Sequence, residues 1–120
     1  MKMKTTNKDF QLFKYECNSW LERLKLDDFE VNYWHENPDK YNADASCSPD
    51  YKYRRVDIRF SVDNFDETVF NTGYIKSVAK HEILHLLVGE MKDLAQDRYI
   101  IQDEIIKADE RLIRKLEKLL

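Results

Sequence analysis

The apolar positions of the chain change their period along its length, and each change marks an element. Over Asp9 to Lys25, Phe10, Phe13, Cys17, Trp20, Leu21 and Leu24 recur at spacings of three and four. That is the stripe of an amphipathic helix with one side turned to a core. Phe29, Val31 and Tyr33 then alternate with Glu30, Asn32 and Trp34, the period of a half-buried strand. Asn37-Pro38-Asp39-Lys40 reads as the turn that ends it. Between Tyr41 and Tyr53, the small residues Ala43, Ala45 and Cys47 take every second position. Such a row lets another element approach closely, and Ser48-Pro49-Asp50 reads as a turn or bulge inside the stretch. Val56, Ile58 and Phe60 alternate with Asp57, Arg59 and Ser61 in a further strand. The polar alternate positions predict an antiparallel sheet with one wet side. Asp63 to Asn71 is expected to be a connection with a short helical turn.

From Thr72, a suitable N-cap, the period returns to that of a helix. The predicted helix runs from Tyr74 to Val88, and Ile83-Leu84-His85-Leu86-Leu87-Val88 is apolar nearly all round, the mark of a central, buried helix. Gly89 suits its C-terminal end or a kink. Met91 to Arg98 reads as a helical turn or short helix. Asp103 to Leu120 is a last helix, with Ile105, Ile106, Leu112, Ile113, Leu116, Leu119 and Leu120 on its apolar side. The order is a helix, about three strands in an antiparallel or mixed sheet, a buried helix and a closing helix. This is an α+β layer arrangement in a single domain over residues 1–120.

Composition narrows the functional classes. Hydrophobic residues are 42% and charged residues 36% of the chain, a balance that suits a folded domain with a charge-rich surface. The net charge of -3 lacks the basic excess of a phosphate-gripping domain. Nucleic acid is therefore not expected as a partner. Cys17 and Cys47 are far apart and have no CxxC spacing, which predicts two unpaired, half-buried thiols in a reducing cytosol. Met1 to Phe10 is polar and Lys-rich without an apolar run, and no stretch reaches membrane-spanning length, so the expected compartment is the cytoplasm and no membrane partner is expected.

One pentapeptide carries chemistry: His81-Glu82-Ile83-Leu84-His85, an HExxH sequence. Residues four apart on a helix lie one turn apart on the same face, so two imidazoles can converge on one ion. Zinc accepts neutral imidazole nitrogen in a four-ligand tetrahedral site. Glu82 lies about 100° further round the helix, badly placed as a third ligand but able to reach a water held on the metal and act as its general base. Zinc lowers the pKa of such a water and polarises a scissile carbonyl. The expected function is therefore zinc-dependent peptide-bond hydrolysis of a protein or peptide substrate. The alternative is a non-catalytic binding or regulatory module with a structural or vestigial metal site.

A catalytic zinc wants a third protein ligand. His35, at the end of the first strand, reads as a surface or turn residue. The carboxylates of the last helix are the better candidates: Asp109 falls near the middle of its apolar arc, and Glu104 and Glu110 on opposite borders.

The stretch from His81 to Leu87 resembles the active-site helix of the zincin metallopeptidases. The layout resembles minimal zincin-like domains, including small phage-encoded HExxH proteins and the core of SprT-like proteins. The chain has no HExxHxxGxxH, unlike metzincins, and no third histidine after the motif, unlike most SprT-like enzymes. The gluzincin branch implies a glutamate ligand some twenty residues downstream. Glu104 fits that spacing, with 18 residues between it and His85. Glu110 instead fits the run Glu110-Arg111-Leu112-Ile113-Arg114-Lys115-Leu116, which looks like the ending of the small phage-type proteins. On that resemblance Glu110 is the preferred third ligand, ahead of Glu104 and Asp109. The zincin resemblance further implies an edge strand that binds extended substrate, for which Val56 to Ser61 is the expected equivalent. Tyr74, Tyr99 and Arg98 are candidate donors to a developing oxyanion.

Overall fold

A computed structural model describes residues 1–38, 43–96 and 102–119, without the side chains of Met91 and Leu119. The elements in chain order are β1 (Lys2–Met3), α1 (Asn7–Arg23), β2 (Glu30–His35), β3 (Ala45–Asp50), β4 (Arg55–Phe60), β5 (Phe65–Asp66), α2 (Thr72–Gln96) and α3 (Gln102–Leu119). The architecture is α+β.

Helix α1 starts two residues before the periodic stretch because Thr6 and Asp9 form a capping box. The Thr6 hydroxyl accepts from the Asp9 amide and the Asp9 carboxylate accepts from the Thr6 amide. Its stripe buries Phe10, Phe13, Cys17 and Leu21. The sheet has the order β2-β4-β3. Strand β2 runs parallel to β4, with Val31 opposite Val56 and His35 opposite Phe60. Strand β3 runs antiparallel to β4, with Ala45 opposite Phe60 and Cys47 opposite Ile58. The sheet is mixed, not purely antiparallel. Val56, Ile58 and Phe60 are buried on one face together with Ile75, Ala79, Ile83, Leu86 and Leu87 of α2. Asn32 and Trp34 on the opposite face are exposed, so one side of the sheet is wet as expected.

Aromatic rings join the layers: Phe60 lies 4.6 Å from Phe13 and 5.0 Å from Phe65 between centroids. Phe65 belongs to a two-strand ribbon, β1 with β5, that the pattern does not show; the expected helical turn follows it, the Val69 and Phe70 amides donating to the Asp66 carbonyl at 3.2 and 3.1 Å. Strands of two residues carry too little periodicity to be read from sequence.

Several boundaries differ from the pattern reading. Ser48-Pro49-Asp50 is not a turn; Pro49 sits in β3 opposite Val56. An outer strand tolerates the missing amide of proline because one edge has no ladder to satisfy. The chain turns instead at residues 51–54, where Arg54 has φ 56°. Asn71, not Thr72, caps α2, its side-chain oxygen accepting from the Tyr74 amide at 2.8 Å. Gly89 does not end the helix, which continues to Gln96. A β-carbon there would overlap the Tyr51 hydroxyl, so the glycine serves a close approach. That hydroxyl donates to the Leu86 carbonyl at 2.9 Å and ties the β3–β4 connection to α2.

Two expectations of burial also change. His81, His85 and Val88 are exposed, so α2 is buried on one side only. Helix α3 does not close over the core: of its described side chains only Ala108 is buried, and Leu112 packs against the core cluster. The turn at Asp39-Lys40, the start of the third segment at Tyr41, the end of the Met91–Arg98 segment and Leu120 lie outside the described residues.

Candidate metal centre

The side chains of His81 and His85 stand one helical turn apart on the solvent side of α2 and lean together. Their Nε2 atoms are 3.0 Å apart, and the rings meet edge to face with centroids 4.5 Å apart. Two neutral imidazoles can meet this way only if one nitrogen carries a proton and the other offers a lone pair. A cation between two lone pairs asks for nearly the same arrangement. Zn–N bonds of about 2.0–2.1 Å at a tetrahedral angle hold two nitrogens about 3.3 Å apart. The pair needs to open by only a few tenths of an ångström, a small torsional adjustment of two exposed side chains. The two histidines therefore fit a shared zinc ion.

Glu82, between them in sequence, is only 8% exposed. It faces the side of α2 that meets β3. Its charge reaches both cysteines, pushing up the Cys47 thiol to about 12 after the larger effect of burial. The Cys17 thiol is raised further, by burial first and then by Cys47 and Glu82. Both cysteines are free, Cys17 in the core and Cys47 half-buried.

Strand β3 runs beside this part of α2, where the small Ala45 permits close packing, as the spacing of Ala43, Ala45 and Cys47 suggests. Two concavities, of about 500 and 360 Å³, share Ala45, His81 and Glu82. The first extends to Asp44, Tyr74 and Val78. The second extends past Cys47 to Ser48, Arg59 and His85. Together they form a groove along β3 with Glu82 in its wall and the two imidazoles at its rim. The outer strand on this side of the sheet is β3, with β2 at the other edge. The Val56–Ser61 segment expected in that role is the central strand, paired on both sides, and cannot add a further strand.

The expected third ligand is not assembled. Among the described residues no group of three or more His, Cys, Asp or Glu side chains is close enough to hold an ion. Glu110 is exposed and lies 3.9 Å from Arg114 on its own helix. Glu104 and Asp109 are likewise exposed. Helix α3 instead meets α2 beyond the motif, around Leu87 and Glu90, where Arg111 reaches Glu90 at 3.3 Å. Sequence spacing ranks candidates on α3 but does not say which turn of α2 that helix crosses.

His35 is a packed strand residue, not a surface one. Its ring stacks on Phe10 with centroids 4.8 Å apart, and its Nε2 lies 2.7 Å from the Thr5 hydroxyl. That hydroxyl donates to the Ser61 carbonyl at 2.7 Å, so the His35 nitrogen is the donor to it and has no lone pair left for a metal. Among the candidate oxyanion donors, the Tyr74 hydroxyl donates to Asp44 at 2.6 Å. That bond, followed by burial, pushes the phenol up to about 12. Tyr99 and Arg98 lie outside the described residues. The Asp44–Tyr74 pair and Arg59, which close the two ends of the groove, carry no sequence signal of their own; long-range packing alone brings them there.

No family model, curated protein or solved structure matches the chain.

Proposed function

We propose that this protein is a zinc-dependent peptidase, with His81 and His85 as metal ligands and Glu82 as general base. The observation that carries the reading is the 3.0 Å approach of two Nε2 atoms at the rim of a groove whose wall contains a buried glutamate. When bound, zinc supplies Lewis-acid polarisation of the scissile carbonyl and makes water acidic enough to attack at neutral pH. The rest falls to the chain. The outer edge of β3, which pairs with no strand among the described residues, offers backbone donors and acceptors to an extended peptide, which aligns one peptide bond with Glu82. The Glu82 carboxylate takes a proton from the attacking water and returns it to the leaving amine. It is shielded from bulk water, being only 8% exposed. The third ligand proposed from the resemblance, Glu110, requires α3 to sit closer to the motif than it does here. A cytoplasmic protein or peptide is the proposed substrate.

The separation of the α3 carboxylates from the histidine pair favours a second reading, a binding or regulatory module that does not cleave. Glu82→Gln divides the two. On the peptidase reading, the variant retains metal and loses hydrolysis of an unfolded protein substrate by about 100-fold or more, the usual scale of general-base loss. Full activity in Glu82→Gln would exclude Glu82 as base. A full biological effect without any cleavage by the wild type would establish the binding module.

A further inference from the structure

Helix α3 presents a second, independent feature. It is strongly two-sided, yet its apolar side is largely uncovered. Ala108 and Leu112 are turned to the body of the protein, whereas Ile105, Ile106, Ile113 and Leu116 are 37%, 51%, 43% and 40% exposed. At 100° per residue these four form one strip beside the α2-facing edge, running most of the helix, whose 18 residues span about 27 Å. A helix anchored along one border of its apolar arc, with the remainder open, is incomplete by itself.

Charge identifies what covers it. The first half, residues 102–110, carries the carboxylates of Asp103, Glu104, Asp109 and Glu110 against the single cation Lys107. The second half, residues 111–119, carries Arg111, Arg114, Lys115 and Lys118 against the single carboxylate Glu117. We infer that α3 pairs antiparallel with α3 of a second copy of this chain, across a two-fold axis near its midpoint. In a register centred between residues 110 and 111, Ile105 lies opposite Leu116 of the second copy and Asp103 opposite its Lys118. Each acidic half then faces a basic half, and symmetry satisfies the arrangement twice. Parallel pairing would set like charges together. Asp109, the carboxylate within the strip, faces the basic half in the antiparallel register only, and fixes direction as a polar seam residue does in coiled coils.

The helix carries no net charge, so an anionic bilayer gains no electrostatic attraction from it, unlike the basic helices that lie on membranes. The shape of the molecule agrees with an exposed arm. Its radius of gyration is 15.5 Å and its longest extent 48 Å, whereas a compact chain of this length has a radius of about 13.6 Å. Pairing is a property of α3 and does not depend on the metal reading.

Sedimentation of the full chain at tens of micromolar tests the pairing. The expected mass is twice the 14.5 kDa of one chain. Ile113→Glu, at an exposed position, should return it to a single chain with an unchanged helical circular-dichroism signal. A charge-reversal pair keeps the test decisive if that variant unfolds. Asp103→Lys/Glu110→Lys and Arg114→Glu/Lys118→Glu should each sediment as one chain, and an equimolar mixture should restore the doubled mass. A monomeric wild type overturns the inference, as does a mixture of the charge variants that stays monomeric. A monomeric wild type that floats with anionic phosphatidylserine vesicles would overturn it as well and give the strip to a membrane surface.

Discussion

At the residue scale, three kinds of polar group lie close together around α2 and each meets a different fate. His81 and His85 face solvent and each other. Glu82 forms part of the groove wall, and its charge acts on Cys47. Cys47 in turn is held protonated, by burial first and by Glu82 second, from the ordinary thiol value of 9.0 up to about 12. The consequence for stability has a definite sign. A group whose proton is held more tightly in the folded chain stabilises the fold fully below its unfolded pKa and loses that contribution as pH rises towards the folded value. The melting temperature of wild type should therefore fall from about pH 9 to about pH 12 more steeply than that of Cys47→Ala, when each is referred to its own value at pH 8. Parallel profiles would show that Cys47 titrates normally. His35 teaches the complementary lesson. From its place near Asn37-Pro38 it reads as a surface histidine, yet a ring stack and a hydroxyl hold it. Sequence gives no register between Thr5 and His35, so neither partner was visible there.

At the scale of elements, the periodic segments were legible and their edges were not. The stripe from Phe10 to Leu24 and the alternations at residues 29–34 and 56–60 correspond to α1, β2 and β4. Those signals are local, because side-chain direction repeats with the backbone period. Strand β3 shows where locality runs out. Pro49 argues for a break when read alone, but its partner Val56 and the outer position of β3 in the sheet remove the conflict. Gly89 is the same case on a helix. Read alone it predicts an end; in the fold it admits the Tyr51 hydroxyl, and α2 runs through. Gly89→Ala should thus destabilise the protein by about 1–3 kcal/mol through overpacking, although alanine is the better helix former. Tyr51→Phe in the same chain should recover part of the loss, because the overlapping oxygen is gone. Denaturant unfolding of the two single variants and the double variant measures this. A Gly89→Ala protein more stable than wild type would mean that only helix propensity operates there.

At the scale of the whole molecule, the chain is a two-layer body with α3 extended from it. Both helices of the body pack on one face of a three-stranded sheet, and β3 remains as an outer strand beside α2. This arrangement sets the exposed histidine pair at the rim of the groove beside β3. The motif itself was legible, because His81 and His85 belong to one helix and need only its period to converge. Where the α3 carboxylates lie relative to the pair was not legible, because it depends on how α3 crosses α2. No described helix is long and apolar enough to cross a membrane. The proposed chemistry depends on whether the imidazoles of His81 and His85 share a metal and not merely a proton. Metal content of purified, zinc-loaded protein tests it most directly, with His81→Ala, His85→Ala and His35→Ala as the comparison set. One zinc per chain is expected in wild type and His35→Ala, and loss of that zinc in both other variants. Wild type without zinc, or equal zinc in all four proteins, would contradict it.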